Sequence, residues 1–211
     1  MVADNRTSGA GADTTSIAMR SCLLYLGQNP IVLRKLHDEV DAFYQSQDSP
    51  GNSITYHQAS GLPYLGAVIK EATRLFPSIN FTLPRHAPPG FEVQGYKIPP
   101  SVQVGISPIA QNRDCAIWGE DADVFRPERW LESEEQARFL ESSNMLFGGN
   151  GPRACVGKNI ALVELHKFLA QFVRQFDFKI VNPEKPWRVT TFWFSYQHDF
   201  NLRLTRRAVK N

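Results

Sequence analysis

The chain has 211 residues, 42% of them hydrophobic and 21% charged, a balance that suits one large or two small soluble globular domains. Its 23 basic and 21 acidic side chains nearly cancel and the basic ones are scattered, so the charge gives no argument for a nucleic-acid partner. Three cysteines without a close pair argue against a disulfide framework and a Cys-x-x-Cys zinc site, and no apolar run reaches the roughly 18 residues of a membrane span.

In chain order, a helix is expected from about Thr7 to Gln28, with Ile17, Leu24 and Tyr25 on one face. Asn29-Pro30 pairs a cap residue with proline at the first helical position, so a second helix starts there and carries Leu33, Leu36, Val40 and Phe43. Ser46 to Ser53 reads as a surface loop. Gly61-Leu62-Pro63 opens a third helix that Pro77 stops. Short strands fit Phe91–Val93 and Val102–Ile106, with Gln94-Gly95 as a turn, and short helices fit Ile109–Arg113 and Glu134–Leu140. A long helix follows Cys155, with Val156, Ile160, Val163, Phe168, Phe172 and Phe176 as its apolar stripe. Trp187–Phe194 and Phe200–Leu204 are strand-like. The expected fold class is mainly α with small β-sheets.

Cys155 ends the glycine-rich stretch Phe147-Gly148-Gly149-Asn150-Gly151-Pro152-Arg153-Ala154-Cys155-Val156-Gly157. Backbone N–H groups freed by the glycines, and the positive end of the following helix, both favour a thiolate. Such a cysteine is a metal ligand, a nucleophile or a redox centre. Cys22 and Cys115, by contrast, read as small buried apolar residues.

Three further patterns precede that loop. Ala10-Gly11-Ala12-Asp13-Thr14-Thr15 sets a carboxylate beside a hydroxyl on a helix where Gly11 leaves room, which suits a proton relay. Asp and Thr near a helix start also serve as ordinary caps. Glu71 and Arg74, three apart, share a helix face and can bond, although such pairs are common on surfaces. Phe125-Arg126-Pro127-Glu128-Arg129-Trp130 is a proline-braced loop that brings Arg129 towards the same carboxylate.

In this order the four patterns resemble the cytochrome P450 family nearly end to end, and the closing segment from Pro186-Trp187 to Arg206-Arg207 resembles fungal P450s of the pisatin demethylase type. The resemblance implies the following. Cys155 is the axial thiolate on the iron of haem b, and Arg153 and Arg85 pair with its propionates. Phe147, Gly151 and Gly157 shape the loop around the ligand. Asp13 and Thr14 deliver protons for oxygen activation. Glu71, Arg74 and Arg129 form a structural triad. Substrate contacts come from Ser8–Thr14, Ile79–Leu83 and a turn near Tyr196–His198. Lys158, Lys167 and Arg153 offer a surface to an NADPH-cytochrome P450 reductase, which supplies the electrons from NADPH.

The implied activity is insertion of one atom of O2 into a small organic substrate. The alternatives are an isomerase, dehydratase or peroxygenase on the same scaffold, or an inactive truncated product. Two departures from the family pattern stand out. Phe147 lies eight residues before Cys155, one more than in the family, with Asn150 as the extra residue; the spacing of Gly151, Arg153, Cys155 and Gly157 is unchanged. The oxygen-binding motif also stands ten residues from the start. The expectation is therefore that residues 1–211 are the C-terminal portion of one P450 domain, without the membrane anchor and N-terminal half. The expected location is intracellular, at the endoplasmic reticulum membrane for a full-length relative.

Overall fold

The computed structural model describes residues 5–46, 53–144, 149 and 151–208. Four helices come first: α1 (Asn5–Gln28), α2 (Pro30–Gln45), the short α3 (Tyr56–Ser60) and α4 (Pro63–Leu75). Proline opens both α2 and α4, where its missing N–H costs nothing. Thr55 and Gln58 close a reciprocal capping box on α3, an element absent from the sequence expectation.

The proline-rich middle holds two minimal antiparallel pairs. Strands β1 (Arg85–His86) and β4 (Gln103–Val104) pair with each other, as do β2 (Glu92–Val93) and β3 (Tyr96–Lys97). Between β2 and β3, Gln94 and Gly95 have φ of 49° and 82°, the doubly left-handed turn that matches hairpin twist. The short helices α5 (Pro108–Gln111), α6 (Cys115–Trp118) and α7 (Glu134–Ser143) follow, with a 3-10 turn at Pro127–Trp130. A second 3-10 turn, Gly151–Arg153, leads into the long α8 (Lys158–Gln175).

Two antiparallel hairpin-like sheets end the chain: β5 (Phe176–Ile180) with β8 (Leu202–Arg206), and β6 (Arg188–Thr191) with β7 (Ser195–His198). The mainly helical class with small sheets is what the sequence predicts. The expected strand over Trp187–Phe194 stops at Thr191, because Phe192, Trp193 and Phe194 form the bend between β6 and β7. Tyr196–His198, expected as a turn, is strand β7. Phe176, expected at the end of the last helix, starts β5 instead.

The core lies where α1, α2, α4 and α8 meet, around Leu26, Leu36, Leu65, Val68, Leu165 and Leu169, all essentially without solvent contact. On α8 the buried row is Ala161, Leu165, Leu169 and Val173, at four-residue spacing. This row is rotated from the predicted stripe: Val156 is 94% exposed and Ile160 62%. Ala161 is small, and hydrophobicity alone ranks it below the larger residues, although it is buried. Gly27 marks a close approach, since a Cβ there would stand 2.9 Å from Ile180 Cγ1 of β5.

Candidate haem-thiolate surface and its buried support

Helix α4 carries Glu71 and Arg74 on its inward face, and both are wholly buried. Arg74 Nε and Nη2 donate to Glu71 Oε2 and Oε1 at 2.9 and 2.8 Å, a bidentate pair. The 3-10 turn at Pro127–Trp130 brings Arg129 to the same carboxylate, with Nε donating to Oε1 at 3.0 Å. Two neighbours that the sequence patterns did not single out complete the shell of Glu71. The Arg126 backbone N–H donates to Oε1 at 3.1 Å, and Trp130 Nε1 donates to Oε2 at 2.9 Å.

The donors left over on the two guanidiniums go to backbone carbonyls and to the Asp121 carboxylate. Arg74 Nη1 donates to the carbonyls of Asn112 and Ala122 at 2.6 and 2.7 Å, and its guanidinium stacks over Trp118. Arg129 donates to the carbonyls of Trp118 and Asp121 and to the Asp121 carboxylate. Burial pushes the Asp121 carboxyl up, but the hydrogen bonds and charges of Arg129 and Arg126 outweigh it and hold the group below its ordinary value. Glu71, Arg74 and Arg129 therefore form one buried knot tying α4 to the segment Asn112–Trp130. The sequence alternative of a surface pair at Glu71 and Arg74 does not hold.

Cys155 lies just past the second 3-10 turn and is exposed. Gly149 and Gly151, with φ of 64° and 74°, take the left-handed conformation that favours glycine. Gly157 is the N-cap residue of α8, and a Cβ on it would stand 3.8 Å from Cys155 Sγ, so glycine keeps that side of the sulfur bare. Phe147, Gly148 and Asn150 lie outside the described residues. Arg153, at the end of the 3-10 turn, and Arg85, in β1, are both exposed cations. Arg85 Nη1 donates to its neighbour's carbonyl at Pro84, 2.9 Å away. Val156 and Ile160 add bare apolar surface beside the thiol.

Of the other two cysteines, Cys22 is buried as predicted, and burial pushes its thiol up to about 12. Cys115 is exposed, which corrects the expectation; it opens α6, whose single turn buries Trp118 instead.

On α1, Asp13 and Thr14 are half-buried, and Gly11 beside them is exposed with open space where a Cβ would stand. Each side chain has its own partner. Thr14 Oγ1 donates to the Ala10 carbonyl at 2.9 Å, while Asp13 Oδ2 accepts from the Tyr196 hydroxyl at 3.4 Å. The segment after α4 is stitched to the same place, since Ser78 Oγ donates to the Thr14 carbonyl at 2.7 Å. Within the segment Ile79–Leu83, Phe81 is half exposed and stacks on Trp193 at 5.6 Å between centroids. An open concavity of about 480 Å³ lies elsewhere, against Gly90, Phe91 and Lys97, and holds none of these residues.

Among the described residues no three or more His, Cys, Asp or Glu side chains converge to hold a metal ion. Cys155 offers one sulfur, the donor number wanted by an iron that brings its own equatorial ligands. Exposed apolar Val156 and Ile160 suit a macrocycle, and Arg85 and Arg153 suit its carboxylates. The residues present fit haem.

The family model described as cytochrome P450 matches residues 6–199. The chain is 39% identical over 204 residues to the cytochrome P450 monooxygenase cicH of Emericella nidulans, covering 96% of this chain and 41% of that protein. It is 40% identical over 187 residues to a pisatin demethylase of Fusarium vanettenii, covering 88% and 35%. The crystal structure of the cytochrome P450DA haem domain superposes with a TM-score of 0.79 at 27% identity, covering 92% of this chain and 41% of that one. The chain thus spans about two fifths of the length of the relatives it matches. With the buried Glu71 knot, the exposed Cys155 at the head of α8 and a family match over nearly its whole length, the chain belongs to the cytochrome P450 family.

Proposed function

We propose that this chain supplies the haem-ligating C-terminal portion of a single-domain P450 monooxygenase that inserts one atom of O2 into a small organic substrate. The observation that carries the reading is the exposed thiol of Cys155 just before α8, followed by exposed Val156 and preceded by exposed Arg153. Haem, when bound, supplies the iron at which oxygen is activated. The protein's part is to hold and tune it. Cys155 Sγ would be the thiolate ligand that holds the iron. Arg153 and Arg85 pair with the carboxylates of the haem, and the exposed row Val156 and Ile160 loses its contact with water.

Asp13 and Thr14, on α1, would serve proton delivery. Thr14 Oγ1 donates its own proton to the Ala10 carbonyl and can accept a hydrogen bond on its oxygen. The Asp13 carboxyl stands one residue away, with Oδ2 accepting from the Tyr196 hydroxyl, and passes the proton on. The segment Ile79–Leu83, with Phe81 against Trp193, gives the organic substrate an aromatic wall. Electrons come from NADPH through a cytochrome P450 reductase, for which the cations Lys158, Lys167 and Arg153 form the docking face. No helix among the described residues is long and apolar enough to cross a membrane; location at the endoplasmic reticulum rests on the family resemblance.

The test is coupling in the haem-loaded enzyme supplied with reductase. Thr14→Ala is expected to raise the share of reducing equivalents lost as peroxide by several-fold. Unchanged coupling removes oxygen activation from Thr14 and favours isomerase, dehydratase or peroxygenase chemistry on the same scaffold.

A further inference from the structure

The hairpin formed by β6 and β7 touches α1 at one functional group that the proton-delivery reading leaves unassigned. Tyr196, in β7, directs its hydroxyl at Asp13 Oδ2 across 3.4 Å, longer than is usual between two oxygens and so a weak hydrogen bond. The surroundings fix this approach. Gln197, the next residue, is buried and donates from Nε2 to the Ile17 carbonyl and to Ser21 Oγ, both at 3.2 Å. Arg20 Nη1 returns a bond to the Gln197 carbonyl at 3.0 Å. On the other side of the strand register, Ser195 N–H donates to the Ser78 carbonyl at 3.2 Å, and Ser78 Oγ in turn donates to the Thr14 carbonyl. Strand β7 therefore cannot slide along α1 by one residue without losing all of these. The Tyr196 ring is braced edge-on by Phe194 at 6.0 Å and 89°.

We propose that Tyr196 is a positioning residue for the Asp13 carboxylate, orienting it on α1 for the proton delivery assigned to Asp13 and Thr14; the proposal rests on that reading. A phenol at this place does two things that a phenylalanine cannot. It fixes which carboxylate oxygen is occupied, leaving Oδ1 as the free one, and it couples Asp13 to the hairpin whose tip carries the exposed Phe192 and Trp193. Partial desolvation, then the charge and hydrogen bond of Asp13, push the Tyr196 phenol above its ordinary value of 10.0.

Two measurements decide it. In the first, the full chain is labelled with 13C at the tyrosine ζ carbon, and Tyr196 is assigned by its loss in Tyr196→Phe. Tyr196 is expected to titrate above the ordinary tyrosine and to fall back in Asp13→Asn. A titration indifferent to Asp13→Asn overturns the proposal. The second is a double-mutant cycle on peroxide release in the haem-loaded enzyme with reductase. Tyr196→Phe is expected to raise the peroxide share several-fold when Asp13 is present and to add nothing to Asp13→Asn. Equal increments in both backgrounds mean that Tyr196 acts elsewhere, which also overturns it. If Asp13→Asn by itself leaves coupling unchanged, the relay reading fails; the tyrosine titration, which needs no haem, still decides whether Tyr196 holds Asp13.

Discussion

Glu71 is a carboxylate with no solvent contact, facing two guanidiniums, an indole N–H and a backbone N–H. Water is replaced almost donor for donor, which is why the charges tolerate burial. Glu71→Leu removes the one anion that touches both buried arginines and strands their charge. Breaking a buried pair in this way costs roughly 3–5 kcal/mol, against a total stability of about 5–15 kcal/mol. Urea unfolding followed by tryptophan fluorescence is expected to report a loss of that size; a loss below about 1 kcal/mol contradicts the knot as drawn. Much of this was legible. The three-residue spacing put Glu71 and Arg74 on one face, and the proline brace pointed Arg129 to them. The carbonyls of Asn112, Ala122 and Val124 were not legible, because they belong to irregular backbone with no periodicity to read.

At the scale of elements, α4 is set in place by a carboxylate from another helix. Its N-cap residue is Leu62, which has no side-chain acceptor. Glu39 of α2 takes that role across space, accepting from the backbone N–H of Tyr64 and Leu65 at 2.7 and 2.8 Å. A lost cap costs about 0.5–2 kcal/mol, so Glu39→Ala is expected to lower stability by about that much, and Glu39→Gln, which keeps one acceptor, by less. The pH dependence has a defined sign. Burial outweighs the two hydrogen bonds and raises the Glu39 carboxyl above 4.5, so the folded chain holds this proton longer than the unfolded one. Stability from this group is lost as pH rises through the window above 4.5. The margin of wild type over Glu39→Gln therefore shrinks across that window in matched urea titrations, and a margin that widens there contradicts the assignment. Sequence could not place this cap, because Glu39 and Tyr64 are joined only by the fold. It also misphased α8. Phe168, Phe172 and Phe176 fall four apart and continue the helical pattern, yet Phe176 already belongs to β5, paired with Arg206 of β8. An aromatic run at that spacing fits a helix face and a strand start equally well.

Across the whole molecule, the order of elements was readable because prolines and caps punctuate it, and the family pattern was readable because four short motifs keep their order. The bare surface was not. Val156 and Phe192 stand 94% and 89% exposed, at the head of α8 and at the β6–β7 tip, and nothing in their sequence separates a core position from one that waits for a partner. The chain matches about two fifths of its relatives; Val156 and Ile160 follow Cys155 in the region proposed here to face haem, while other exposed apolar residues such as Ile31 and Tyr96 lie on α2 and β3. The most direct test is the absorption spectrum of the purified chain titrated with haem, reduced and exposed to carbon monoxide. A red-shifted Soret band that disappears in Cys155→Ser is the predicted result; no haem binding, or a band that Cys155→Ser leaves unchanged, would contradict ligation by Cys155.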